Sequence, residues 1–228
     1  FTLSSVMPAI SIKNSNKESK ILQAAEELFF SVGFANAKME DIAKKADFSK
    51  VTVYSYFGSK ANLYMAITYN AMQDLINGLY AVLEQEKGKS GFDTFIALSV
   101  KYLDFCVRKR HYVDLMLNYL SMVRMAVAGE KLDKLSQSLQ ESIYYRKLRG
   151  IQNVSIELAV EEIVRGQKDG SIKTKKSPWI IHHMMWSMIT GFAKVNYQPS
   201  AKTFIHADNE EWKTLLINTI RGICQDKI

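Results

Sequence analysis

The stretch GFANAKMEDIAKKADFSKVTVYSYFGSKAN, Gly33 to Asn62, decides how the rest of the chain is read. It predicts two short helices joined by a tight turn. The first covers about Met39 to Lys45, with Ile42 and Ala46 facing inward and Ala43 small enough for close packing. A turn follows at Asp47 and Phe48. Ser49 is a good N-cap for the next helix, Lys50 to Phe57, because its hydroxyl can accept from an unsatisfied first-turn N–H. Val53 and Phe57 share one face of that helix, with Tyr56 beside them. Lys50, Thr52, Tyr54 and Ser55 lie away from it. Gly58 breaks the helix and Ser59 caps the one after it.

Working outward, every other periodic segment is also helical. Ile21, Ala25, Leu28 and Val32 repeat at helical spacing, so a first helix is expected over Lys17 to Val32. Asn16 is its expected N-cap and Gly33 its left-handed C-cap. The long fourth helix, Lys60 to Glu86, carries Leu63, Ile67, Ala71, Leu75, Leu79 and Leu83 on one stripe. Further helices are expected over Phe92–Lys109, Tyr112–Ala128, Lys131–Lys168 (interrupted near 150–154), Pro178–Tyr197 and Asn209–Gln225. Ser177 before Pro178 and the Asp208/Glu211 capping-box pattern mark the last two starts. No stretch alternates in period two. The fold class is therefore all-α, with about nine helices: an arm over 1–16, a helix-turn-helix domain over 17–63 and a helical domain over 64–228.

Composition narrows the function classes. With 228 residues, 47% hydrophobic and 23% charged, the chain has the make-up of a soluble globular protein. No apolar run approaches the ~20 residues of a membrane span, and no partner membrane is expected. Cys106 and Cys224 sit in apolar helical contexts and read as reduced, partly buried thiols, so the expected compartment is the cytoplasm. A net charge of +7 suits a polyanionic partner without proving one. There is no Gly-rich phosphate loop, G-x-S-x-G or H-E-x-x-H, so no enzyme and no cofactor is expected. His182 and His183 are neighbours on a helix and point about 100° apart, which suits one metal ion poorly; a packed or cavity-lining role is expected instead. Glu157, Glu161 and Glu162 read as a solvated face.

Two short helices with hydrogen-bonding side chains at the start of the second have the anatomy of a helix-turn-helix, whose second helix fits a major groove about 12 Å wide. Thr and Ser can bond base edges, while Lys and Tyr position the protein on phosphates. On geometry alone, the alternative is that Tyr54 and Tyr56 merely pack between helices.

The wording of the stretch goes further. I-L-x-A-A-x-x-L-F at Ile21–Phe29, Gly33-Phe34, D-I-A at Asp41–Ala43, F-S-K-V-T-V-Y-S-Y-F at Phe48–Phe57 and S-K-A-N-L at Ser59–Leu63 together resemble the DNA-binding domain of the tetracycline-repressor (TetR) family. That resemblance implies a cytoplasmic, homodimeric regulator, most often a repressor, that binds a palindromic double-stranded operator and releases it on binding a small molecule. It places Lys38, Ser49, Lys50, Thr52, Tyr54, Ser55, Tyr56 and Lys60 at the DNA, with Lys60 gripping a phosphate. Three positions depart from the family pattern. Lys38 stands where a capping Thr is usual, Asp47 where the turn has Gly, and Val51 where the recognition helix has Gly. Val51 stiffens that helix and offers an apolar contact. The seven lysines and six acids of residues 17–63 leave only about +1, so the DNA face must come from segregation of charge.

In the remainder, Phe95, Tyr102, Phe105, Met116, Tyr119, Met122, Tyr144, His183 and Trp186 are candidate linings for a small apolar or amphipathic ligand, since such residues make adaptable cavities. The last two helices carry Ile181, Met184, Met185, Met188, Phe192, Leu215, Leu216, Thr219 and Ile223, a broad apolar surface expected to form a four-helix bundle across a two-fold axis. The rival reading is a helical small-molecule or lipid-binding protein whose first helices are only structural.

Overall fold

A computed structural model of the chain describes residues 12–127, 141–196 and 208–228. Ten α-helices occur among them: α1 (Ile12–Asn36), α2 (Met39–Lys45), α3 (Lys50–Phe57), α4 (Lys60–Gln85), α5 (Gly91–Arg108), α6 (Arg110–Val127), α7 (Ile143–Ile151), α8 (Val154–Lys168), α9 (Pro178–Asn196) and α10 (Asn209–Cys224). No strand occurs among the described residues, so the chain is all-α as its periodicity implies. Of the expected seventh helix, residues 131–140 lie outside the described residues and Glu141–Ser142 are not helical; the rest is divided at Gln152–Asn153 into α7 and α8, inside the interval where the sequence predicts an interruption. α1 starts at Ile12, upstream of the expected arm boundary, so Asn16 lies within the helix and is not its cap.

The described residues form two units, one of residues 12–69 with 141–147, the other of 70–127 with 148–196 and 208–228. The division falls later than the sequence boundary at 63/64. The first unit also takes in a segment from much further along the chain.

In the first unit Ile21, Ala25, Ile42 and Val53 are wholly buried, with Phe29 and Phe57 nearly so. Ile21, Ala25, Ile42, Val53 and Phe57 are positions the sequence puts inside, whereas Val32, on the same expected stripe as Ile21 and Ala25, is 45% exposed. Phe29, Phe34 and Tyr64 pack as an aromatic trio, with ring centroids 4.8–5.8 Å apart and tilted or edge-on geometry. At Gly33 φ is 80° and ψ 158°. The positive φ explains the glycine, but the conformation is extended, not the left-handed helical cap expected. Asp47 adopts φ 60° in the α2–α3 turn, which is why glycine is usual there and why Asp, which tolerates this region better than most side chains, can replace it. From residues 141–147, Ser142 Oγ donates to Asn62 Oδ1 and Tyr144 Oη donates to Glu18 Oε1 at 2.5 Å.

The second unit's core joins α5, α8, α9 and α10, with Phe95, Cys106, Ile163, Ile189 and Cys224 fully buried. Burial pushes both thiols up to about 12, so they stay protonated. The start of α5 is held from outside its own helix: Gly91 N donates to Asp169 Oδ2 at 2.8 Å and Phe92 N to Ser171 Oγ at 3.0 Å. The Gly91 N–H is the main reason the Asp169 carboxyl is held below its ordinary value. No described helix is long and apolar enough to cross a membrane.

Candidate functional site

The reading head is built by its caps. Ser49 Oγ accepts from Thr52 N at 3.1 Å and lies 2.9 Å from Thr52 Oγ1, fixing the first turn of α3. Gly58 closes α3 at φ 66°, and Asn62 Nδ2 donates to Phe57 O at 2.8 Å. Ser59 Oγ accepts from Asn62 N at 3.1 Å and starts α4. Lys38 precedes α2 without forming a side-chain cap, as its chemistry requires.

With α3 held this way, Val53 and Phe57 point inward and Lys50, Val51, Tyr54 and Ser55 form a continuous exposed stripe. Val51 is 79% exposed. An apolar side chain this open on a helix otherwise carrying Lys, Tyr and Ser is suited to a thymine methyl or a sugar face. Thr52 is half-buried, one position off the stripe, because its hydroxyl is turned to the Ser49 cap. Tyr56 is also half-buried, between the stripe and the core.

Two groups assigned to phosphate contacts are already engaged. Lys50 Nζ is paired with the Glu40 carboxylate and lies 5.8 Å from the Tyr54 ring centroid. The pairing holds Glu40 below its ordinary pKa and raises that of Lys50. Lys60 Nζ donates to Phe34 O at 2.7 Å, Ala35 O at 3.3 Å and Ala37 O at 2.9 Å, and lies 4.6 Å from the Phe34 ring centroid. An ammonium has three N–H donors, so Lys60 places all of them on carbonyls at the end of α1 and just beyond it. Lys38 is exposed and shares a shallow surface concavity with Tyr54, Ser59 and Lys60.

The second unit contains a cavity of about 220 Å³. α4 contributes Met72, Leu75 and Leu79 to it, and α5 contributes Leu98 and Tyr102. The remaining lining comes from α6 (Met116, Leu120), from α8 and the residue two before it (Gln152, Ser155, Ile156, Ala159) and from α9 (His182, His183, Met185, Trp186). Tyr102, Met116, His183 and Trp186 are thus brought together as expected. Phe95 and Phe105 are core residues that do not line it. Tyr119 is fully buried beside it and donates to Gln152 Oε1 at 2.9 Å. The side chain of Met122 lies outside the described residues. Tyr144 belongs to the first unit, stacked on Phe57 with centroids 6.3 Å apart, and is structural there. Sequence reasoning missed the aliphatic and small linings, because a Leu facing a cavity has the same periodicity as one facing core. It also left His182 undecided.

The apolar surface of α9 and α10 divides differently from the expected set. Ile181, Met185, Phe192, Leu216 and Ile223 are buried in the subunit's own core, so they are not available to a partner. Met184 (42%) and Leu215 (62%) are exposed, and Met188 and Thr219 are half-buried. The outward face instead adds Trp179 (49%), Ile180 (55%) and Val195 (48%). Trp179, Ile180, His183, Met184, Ser187 and Met188 line a common groove on it.

A short capped helix pair whose second helix exposes Lys, Val, Tyr and Ser is a helix-turn-helix of the DNA-binding kind. Comparison with known proteins agrees. The family described as bacterial regulatory proteins, tetR family, matches residues 21–67. YvdT of Bacillus subtilis (strain 168), an uncharacterized HTH-type transcriptional regulator, is 31% identical over 154 residues, 68% of this chain and 73% of that protein. FasR of Mycolicibacterium smegmatis, an HTH-type transcriptional activator, is 32% identical over 72 residues; the match spans 32% of this chain and only 33% of FasR. The crystal structure of FadR from Bacillus subtilis in complex with stearoyl-CoA has a TM-score of 0.64 at 14% identity, covering 90% of this chain and 98% of that one, a likeness of fold alone. The chain belongs to the TetR family of DNA-binding transcriptional regulators.

Proposed function

We propose that the protein is a homodimer that binds a palindromic operator and is released from it when a small molecule occupies the cavity of the second unit. The observation that carries this reading is the continuity of α4. The helix opens at Lys60, which closes the reading head, and runs unbroken to Leu79 in the cavity lining. A ligand contacting Met72, Leu75 and Leu79 therefore acts on the helix that ends the reading head. It would favour a conformation in which two recognition helices no longer match their half-sites, a population shift with α4 as the moving element. Lys38, Ser49, Lys50, Val51, Tyr54 and Ser55 are the proposed DNA contacts, Lys50 exchanging Glu40 for phosphate on binding. Thr52 and Tyr56 support them from behind.

The exposed Trp179, Ile180, Met184, Val195 and Leu215 supply the proposed dimer face; Trp179, Ile180 and Met184 line one groove, and a contiguous apolar surface is normally covered. Replacing Ile180 and Met184 together by Asp tests it. Light scattering should then report a monomer, and operator affinity should fall at least about tenfold, because one half-site is lost. A variant that stays dimeric, or a monomer that binds as tightly, would refute this face. FasR is a transcriptional activator, so the sign of regulation is a separate outcome, to be read from a reporter gene.

A further inference from the structure

Several cations of the reading head are already engaged within the chain. Lys60 gives its three donors to main-chain carbonyls, Lys45 Nζ lies 2.8 Å from Glu27 Oε2, and Lys50 pairs with Glu40. The last pair sits on the exposed stripe itself. Glu40 lies in the first turn of α2 and shares a surface concavity with Lys38, Tyr54, Ser59 and Lys60, while its carboxylate reaches the first residue of α3. The Tyr54 ring, 5.8 Å away, holds the Lys50 ammonium from a second side, within cation–π range. Both side chains of the pair are more than half exposed, so a phosphate can reach Lys50.

This arrangement decides when the charge of Lys50 counts. The pair holds Glu40 below its ordinary pKa and raises that of Lys50, so near neutral pH both are ionised and the pair carries no net charge. Binding to DNA of any sequence draws on cations that neutralise phosphates and release condensed counterions. A lysine that exchanges a carboxylate for a phosphate gains little, because the exchange leaves the Glu40 charge facing a polyanion. An exposed ion pair is weak, however. It opens once other contacts have fixed α3 in the groove and brought a phosphate to a set position beside Lys50.

Resting on the reading of α3 as the helix that meets DNA, we propose that Glu40 is a specificity-determining residue that masks Lys50 on mismatched duplex and yields it to a phosphate only when α3 is seated on a matched site. Glu40 is a positioning residue, acting through Lys50 and touching no base. Its effect is to weaken binding to the wrong sequence more than to the right one.

The test compares the full chain with Glu40→Gln, Lys50→Met and the double variant. Each is titrated over a range of salt with the duplex that the parent selects best from a random pool, and with a shuffled duplex of the same length and composition. Glutamine keeps the size of the side chain and the pair is exposed, so Glu40→Gln should melt with the parent. On the shuffled duplex Glu40→Gln should steepen the slope of log K against log salt by about one per bound reading head. On the selected duplex the slope should hold, and the ratio of the two affinities should fall about threefold or more per reading head. In the Lys50→Met background Glu40→Gln should change neither slope nor ratio. Three results overturn the proposal: shuffled-duplex binding that Glu40→Gln leaves unchanged, an equal gain on both duplexes, or a gain that persists in Lys50→Met, which would make Glu40 a plain source of repulsion. A selected duplex without an inverted repeat refutes the palindromic reading and leaves this comparison intact. A pool that yields no preferred duplex overturns both.

Discussion

Replacing Gly91 by alanine should destabilise the second unit by about 3 kcal/mol or more, at the upper end of what overpacking costs. A Cβ at this position would fall 2.1 Å from Gly166 N, 2.5 Å from Gly166 Cα and 2.7 Å from Glu162 O. All three are backbone atoms of α8, so no side chain can swing aside to make room. Gly166 is tight in turn, since a Cβ on it would meet Ile172 at 2.6 Å. The two glycines let α5 and α8 approach backbone to backbone, and the caps from Asp169 and Ser171 depend on that approach. Forcing the helices apart also displaces Leu98 and Tyr102 from Ile156 and Ala159 across the cavity, so ligand binding should fall with stability. Gly150→Ala is the control of opposite sign. Gly150 lies in α7, and a methyl group there would have nothing within 4 Å, so the substitution should stabilise by ~0.5–1 kcal/mol through helix propensity. Denaturant unfolding checks both; equal effects at the two glycines would show that the close approach is not what Gly91 is for.

Lys60→Met should cost the reading head about 2–3 kcal/mol, since hydrogen bonds to a charged group are each worth ~1.5–3 kcal/mol and these are partly solvated. The stem of methionine keeps the packing, while the carbonyls of Phe34, Ala35 and Ala37 lose their common donor and Phe34 its cation–π partner. Hydrogen exchange should quicken first in the amides around residues 33–37. DNA affinity should fall with stability, yet the dependence of log K on log salt should keep its slope. A phosphate contact would instead lower that slope by about one. A slope that drops by one with stability untouched would return Lys60 to the phosphate role that the family resemblance implies.

Local chemistry made the reading head legible. α2 and α3 span the residues their caps and stripes define, Met39–Lys45 and Lys50–Phe57, because Ser49, Gly58 and Ser59 act within three or four residues. Lys60 escaped the same reasoning because its partners lie 23 to 26 residues away. Gly91 and Gly166 read as a loop residue and an ordinary helix residue until α5 and α8 meet. The outward face of α9 could not be picked from periodicity because the helix is apolar nearly all round: Ile180 and Ile181, or Met184 and Met185, are equal to such an argument, yet one of each pair is buried and one exposed. His182 and His183 posed the same problem, and only the fold shows that His182 is buried and His183 exposed although both border the cavity.

The central claim is that the exposed stripe of α3 reads DNA sequence as one half of a symmetric pair. Selection from a random double-stranded pool by the full chain, in parallel with its Tyr54→Ala and Val51→Ala variants, tests it most directly. The parent should enrich an inverted repeat with half-sites about one helical turn apart or a multiple of it. Each variant should change base preference at symmetry-related positions in both half-sites, with the spacing kept. A pool that yields no repeat, or variants that select the parent's site unchanged, would contradict it.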